Sequence, residues 1–183
     1  MTQDKVSTNP KGMDHADPVA EPHERTVDLI VLGPPVPKAR PRVVRKPQGV
    51  MTYTPGGTRQ QMQAIRHAYV ERYDGMVFGK HEPLVLNVLP VMERPASVPK
   101  SREWPVVAPD LVNIVQLVQD ALEGFAYPKD AAIVGFGEAF KLYGYPPRTQ
   151  IRVRLATEEE LRQVRRVTAR AMLLSRARNE GGA

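Results

Sequence analysis

Apolar residues recur along the chain in four short runs that have the spacing of β-strands. Residues 27–32 alternate loosely, are rich in Val, Leu and Ile, and end at Gly33-Pro34-Pro35. The other runs are residues 84–91, 133–142 and 150–155. These patterns predict four strands.

Between the strands, apolar residues recur at helical spacing in two segments. In the first helix Thr58 is the predicted cap, Arg59, Arg66 and Arg72 take the solvated side, and the apolar positions are Met62, Ile65, Tyr69 and Tyr73. The second helix runs from about Asp110 to Glu123 and closes at Gly124. Its predicted buried stripe consists of Leu111, Ile114, Val115, Val118 and Leu122.

Thr157 and Glu160 form a capping box before a long third helix. Its arginines are Arg162, Arg165, Arg166, Arg170, Arg176 and Arg178, and its apolar positions are Leu161, Val164, Val167, Ala171 and Leu174. This helix either extends a DNA footprint or, as we favour, packs or dimerises through its apolar positions. The element order predicts an α/β (α+β) fold in which helices pack on a small mixed β-sheet.

Proline and charge divide the remaining chain. Residues 1–26 lack any periodicity that could bury a face, and we expect a disordered tail there. Residues 93–109 read as a loop. We therefore expect a folded domain over residues 27–156 and a basic C-terminal helix and tail over residues 157–183.

Composition narrows the function. The 183-residue chain has no Cys, which excludes thiolate metal sites and cysteine nucleophiles, so any metal needs oxygen or imidazole ligands. No apolar run approaches the roughly 20 residues needed to span a bilayer, and the N-terminus lacks the apolar core of a signal peptide, so we expect a cytoplasmic protein. The net charge of +6 favours an anionic partner.

The basic residues concentrate in one proline-rich segment. Between Lys38 and Arg72 there are eight Lys and Arg residues against one acidic residue, and the prolines favour an extended chain. A row of cations of this kind tracks phosphates, although a solvated basic loop explains the charge about equally well. The candidate DNA-binding residues are Lys38, Arg40, Arg42, Arg45, Lys46 and Arg59.

Three aspartates stand out against this basic background: Asp110, Asp120 and Asp130. Carboxylates brought together are often compensated by a divalent cation, especially where the substrate is a polyanion. Each also has an ordinary explanation, since Asp110 can cap a helix, Asp120 can be a solvated helix residue and Asp130 can belong to a turn. Taken together they suggest a metal-dependent enzyme that acts on nucleic acid.

In this order the motifs resemble those of the RusA family of Holliday junction resolvases. The resemblance covers roughly residues 27–155 and rests on three segments. The first is the Gly-Pro-Pro-Val-Pro-Lys-Ala-Arg-Pro-Arg run from Gly33 together with Tyr53-Thr54-Pro55. The second contains the motifs Pro109-Asp110-Leu111-Val112-Asn113 and Asp120-Ala121-Leu122, and the third is Tyr127-Pro128-Lys129-Asp130 before Ile133.

The resemblance implies a homodimeric endodeoxyribonuclease that uses Mg²⁺ to cut four-way DNA junctions in recombination and repair, in bacteria or their phages. It also implies that Asp110 and Asp130, helped by Asp120 or Glu138, hold the metal, and that Lys141 assists the leaving group.

The chain departs from the family pattern at three positions. Val112 replaces an aspartate, Gln116 replaces a lysine, and Lys129 replaces the first of two paired aspartates. We favour an active resolvase over a module that binds branched DNA without cutting it, and both over a basic protein that coats nucleic acid without a site. The decisive expectation is that residues 110 and 130 come close enough to share an ion.

Overall fold

The computed structural model describes residues 25–46 and 48–180. The strands are β1 (Thr26–Leu32), β2 (Arg42–Lys46), β3 (Gly49–Tyr53), β4 (Leu84–Met92), β5 (Ile133–Ala139), β6 (Leu142–Tyr143) and β7 (Arg148–Leu155). The helices are α1 (Gly56–Val70), α2 (Leu111–Leu122) and α3 (Glu158–Glu180), and a 3-10 turn covers Asp130–Ala132. The α+β fold is confirmed, whereas the predicted disordered tail lies almost wholly outside the described residues.

The main sheet has the strand order β1-β7-β4-β5, with the short β6 alongside the end of β4. β7 runs antiparallel to both β1 and β4, and β5 runs parallel to β4. Val27, Leu29 and Val31 alternate with more exposed residues in β1, and Ile151 and Val153 do so in β7. Because side chains alternate along a strand with a period of two residues, the buried residues lie on the one face of the sheet that contacts the helices.

The second helix packs as its pattern predicts. α2 buries Ile114, Val115, Val118 and Leu122, with Leu117 and Ala121 beside them, and Leu111 is partly buried. Gly124 ends the helix in the left-handed region, with φ of 76°, where glycine is the favoured residue. α2 contacts α1 and β4, so its position relative to the sheet is set by apolar packing.

The first helix differs from its prediction at both ends. Pro55, not Thr58, precedes α1, and Thr58 is buried inside its first turn. The Thr58 hydroxyl accepts a hydrogen bond from the Ala39 amide at 3.2 Å, so it fixes the proline-rich segment instead of capping the helix. Tyr73 lies beyond the helix, where its ring stacks 5.2 Å from that of Tyr69.

The start of α3 is held by the predicted capping box. The Glu160 amide donates to the Thr157 hydroxyl at 3.2 Å, and the Thr157 amide donates to the Glu160 carboxylate at 2.8 Å. The Arg154 guanidinium binds the same carboxylate through both terminal nitrogens, at 2.7 and 3.0 Å. These contacts fix the direction in which the helix leaves the sheet.

Beyond this first turn, the side chains of α3 that the structure describes, residues 161–172, are all exposed. They include Leu161, Val164, Val167 and Ala171, which we call the apolar stripe, so these positions are not buried within the chain. The Leu174 side chain lies outside the described residues, and dimerisation stays a prediction. Among the described residues, none of the helices combines the length and apolar character required to cross a membrane.

Glu160 makes the attachment of α3 dependent on pH. Hydrogen bonds from Arg154, and then from the Thr157 amide, lower the pKa of Glu160 from 4.5 to about 2. The attachment is therefore complete above pH 4.5 and is lost as the pH falls towards 2. Because the side chain is more than a third exposed, we expect Glu160→Gln to destabilise the protein by less than about 1 kcal/mol.

The checkable result is faster amide exchange in the first turn of α3 in Glu160→Gln at pH 7. Glu159→Gln is the control, because Glu159 pairs with Arg162 only at the exposed surface. Equal exchange rates in the two variants would contradict a special role for Glu160.

Candidate nucleic-acid interface

A β-hairpin that the sequence pattern did not predict carries part of the basic segment. β2 and β3 pair antiparallel, with Arg45 opposite Val50 and Lys46 opposite Gly49, and they form a two-stranded sheet separate from the main one. Val43 and Val50 are exposed, so the ribbon is uncovered. The segment is thus not one extended row held by prolines, and a two-stranded ribbon is a shape that fits a DNA major groove.

The basic candidates divide into two groups. Arg40, Arg45 and Arg59 are exposed and, among the described residues, none of them forms an ion pair. Arg59 also donates to the Thr54 carbonyl at 3.2 Å, which holds its guanidinium near the end of β3. Arg42 and Lys46 are placed in β2 by their backbone. Arg40, Arg45 and Arg59 remain available to phosphates.

Lys38 belongs to the other group, because it is committed to the protein itself. Its amide donates to the Asn113 carbonyl at 2.8 Å, and its ammonium lies 2.7 Å from the Asp120 carboxylate. The lysine therefore ties the proline-rich segment to α2 and neutralises one of the three predicted metal ligands. Its pairing with Asp120 was not visible in the sequence, because the two residues lie far apart along the chain.

Arg66 also has a role that its predicted solvated position missed. It donates to the Ala121 carbonyl at 3.1 Å and to the Asp120 carbonyl at 3.3 Å, and its guanidinium lies 5.1 Å from the centre of the Phe125 ring. The last carbonyls of a helix lack partners within the helix, and a cation there is favoured by the helix dipole. Arg66 thus caps α2 and fixes the backbone around Asp120.

Asp110 stands alone at the other end of α2. It occupies the N-cap position but makes no side-chain capping hydrogen bond, and its side chain is exposed. Pro35, Pro37 and Asn113 line a shallow depression beside it. Ten residues of helix separate Asp110 from Asp120, a distance of about 15 Å along the axis. One cation cannot contact both.

Asp130 lies at the Asp120 end of α2. Tyr127 is buried, and its hydroxyl donates to the Gln119 carbonyl at 3.0 Å. Burial is the main cause that raises the pKa of this hydroxyl, and the negative charges of Asp130, Glu123 and Asp120 raise it further. These carboxylates therefore lie within electrostatic reach of one buried hydroxyl at the end of the helix. Lys129 lies among them, with its ammonium 3.1 Å from the Glu123 carboxylate.

The three-aspartate metal site stays a prediction. Across residues 25–46 and 48–180, no cluster of three or more His, Asp or Glu side chains is arranged to hold a metal ion. Mg²⁺ requires near-octahedral oxygen ligands at about 2.1 Å, and Val112, which is 65% exposed beside Asp110, offers none. Helix α2 separates Asp110 from Asp120, and Lys38 already pairs with Asp120, so these two aspartates do not share a cation.

Two other predicted participants lie elsewhere. The Lys141 ammonium donates to the carbonyls of Val107 at 2.7 Å and Pro109 at 3.0 Å, so it holds the loop before Asp110. Asp28 has the largest effect in raising the pKa of Arg152, and the carboxylate of Glu138 raises it further. Glu138 also lines a surface hollow with Asn87 and Gln150. Glu138 is thus on the sheet face opposite α2. Strand alternation in β5 would have indicated this from the sequence.

Comparison with known proteins agrees with the motif order. A family model described as endodeoxyribonuclease RusA matches residues 33–154. No curated protein is similar enough to count as a match. The matched region starts after β1 and ends inside β7, so it includes the hairpin and α2, and α3 lies beyond it.

Proposed function

Since the chain belongs to the RusA family of endodeoxyribonucleases, a family of Holliday junction resolvases, we propose that it binds four-way DNA junctions during recombination and repair. The observation that carries the proposal is the uncovered basic hairpin, with Arg40, Arg45 and Arg59 exposed and without ion pairs among the described residues. Such a substrate places the protein with bacterial or phage DNA in the host cytoplasm.

The hairpin and its flanks contribute affinity through phosphate contacts more than they select base sequence. Arginines donate to phosphate oxygens in a fixed fork geometry, and phosphate contacts position a protein without reading base sequence. The exposed Val43 and Val50 give the ribbon apolar contacts on the DNA as well. Binding of this kind selects a DNA shape and weakens as salt rises.

The chemistry that this geometry supports best is binding without cutting. Asp120 is paired with Lys38, Glu123 is paired with Lys129, and Asp110 is at the far end of α2. The lysines provide the positive charge that a metal ion would otherwise bring to these carboxylates. A phosphate backbone can approach such a neutralised surface without a cation between.

The second candidate is magnesium-dependent cutting of the junction. Asp110 and Asp130 favour it, because both are exposed and, within the described part of the chain, neither forms an ion pair. Because the described part of the chain holds no cluster of three such side chains, a hydrolytic site would take further ligands from water, from the DNA phosphate or from a second protomer. Hydrolysis and binding alone make opposite predictions for magnesium.

A homodimer is part of the proposal, and α3 supports it. Its apolar stripe continues into a groove lined by Val85, Val134 and Phe136, and the last two are exposed on β5, an edge strand of the sheet. Glutamates occupy the first turn of α3 and arginines follow. Two antiparallel copies of α3 place the acidic first turn of one against the arginines that follow in the other, so the surface is complementary to itself.

Junction binding should therefore be independent of magnesium. We expect a labelled four-way junction to be retained about equally in EDTA and in Mg²⁺, and at least about tenfold more tightly than a linear duplex of the same arm sequence. Gel retardation at 0.1 M salt measures both ratios. Equal affinity for duplex and junction would favour the coating protein, and a strict requirement for Mg²⁺ would favour the second candidate.

A further inference from the structure

The only tryptophan of the chain lies at the surface next to a second aromatic residue. Trp104 is 53% exposed and Phe140 is 51% exposed, and their ring centres are 6.0 Å apart at an angle of 57°. Neither ring is used by the core, and contiguous exposed aromatic surface of this size marks an interaction site more often than chance. We call this the aromatic pair.

The loop that carries Trp104 is held in place by two cations. Arg94 donates to the carbonyls of Pro99, at 2.7 Å, and Arg102. Lys141 donates to those of Val107 and Pro109, and the Tyr143 amide donates to the Glu103 carbonyl at 3.0 Å. The exposure of the aromatic pair is therefore built into a braced surface and does not result from a loose loop.

The charge around the pair favours nucleic acid over another copy of the protein. Residues 93–109 and 140–148 contain five Lys and Arg residues, namely Arg94, Lys100, Arg102, Lys141 and Arg148. The same two segments contain only two acidic residues, Glu93 and Glu103. A second copy would bring the same positive charge, whereas phosphate is complementary to it.

We propose that Trp104 and Phe140 form a stacking site for bases that have lost a stacking neighbour at the branch point of DNA. Bases inside a duplex present only their edges, whereas a branch point exposes base faces on which an aromatic ring can stack. The site rests on the proposed DNA binding and adds to it a reason for preferring branched over linear DNA. It adjoins Asp110 through the loop that Lys141 braces.

The single tryptophan makes this site directly observable. Emission from the full-length protein reports only Trp104, and stacking on a base quenches it. We expect saturation with a four-way junction to quench the emission strongly, and saturation with linear duplex to change it little. Gel retardation run in parallel establishes that each DNA is bound.

Substitutions separate stacking from folding. Trp104→Ala should weaken junction binding about tenfold to a hundredfold, with Trp104→Phe retaining most of it and duplex binding changing less than about twofold. Tyr145→Ala is the matched control, because Tyr145 is 82% exposed nearby but outside the pair. Circular dichroism of each variant checks the fold.

Several results would overturn the stacking site. If the bound junction leaves Trp104 emission unchanged, or Trp104→Ala binds it like wild type, the aromatic pair is not a base site although the proposed junction binding stands. If wild type binds no junction, both proposals fail. If Trp104→Ala converts a dimer into a monomer, the pair is a protein interface instead.

Discussion

Replacing Arg40, Arg45 and Arg59 together with alanine should weaken binding to a four-way junction on the order of a thousandfold at 0.1 M salt, about tenfold for each lost phosphate contact. The three guanidinium groups are exposed and carry no ion pairs in the described part of the chain, so their loss removes DNA contacts and leaves no buried partner behind. The slope of affinity against salt should fall by about three per protomer.

The control for this variant removes the same charge from another surface. Arg165, Arg166 and Arg170 are exposed along α3, and their joint replacement with alanine should weaken junction binding far less, provided that sedimentation equilibrium shows the variant to be as dimeric as wild type. Fluorescence anisotropy over a salt series measures both variants. Equal losses would mean that net charge alone drives binding, as expected of a protein that coats nucleic acid.

The second large effect concerns the apolar stripe of α3. Val164 is 62% exposed in the isolated chain and lines the groove next to β5. If two copies bury this surface, Val164→Glu places an uncompensated charge inside the interface, which costs several kcal/mol. We expect wild type to be a dimer at micromolar concentration and Val164→Glu to be a monomer by sedimentation equilibrium.

Ala169→Glu tests whether position, and not glutamate itself, causes the change. Ala169 is also exposed on α3, but helical spacing places it among the arginines and away from the apolar stripe. This variant should remain a dimer. A wild-type monomer at tens of micromolar, or two variants that behave alike, would remove the apolar stripe as the dimer interface.

The elements that the sequence predicted correctly are those governed by local spacing. The α2 stripe, the strands of the main sheet and the Thr157–Glu160 capping box all follow from residues three or four apart, or two apart in strands. The strand predicted over residues 133–142 breaks after Ala139, where Lys141 turns to brace the loop. Interactions between distant segments caused that break, and spacing carries no signal for them.

In the candidate site, too, local spacing predicts some features, and contacts between distant segments determine the others. The separation of Asp110 from Asp120 follows from helix rise alone and was available from the sequence, but the family motif suggested a single cluster. The Lys38–Asp120 and Lys129–Glu123 pairs depend on how a loop crosses α2 and how the chain turns after it. The hairpin was missed because Pro41 and the glycine-containing turn before Val50 read as an extended loop.

Incubation of a 5′-labelled four-way junction with saturating protein and Mg²⁺, followed by a denaturing gel, distinguishes binding alone from hydrolysis. We expect the junction to be fully bound and to stay intact in wild type and in Asp130→Asn alike. Paired symmetric nicks in wild type that disappear in Asp130→Asn would contradict this and would show that Asp130 belongs to a working hydrolytic site.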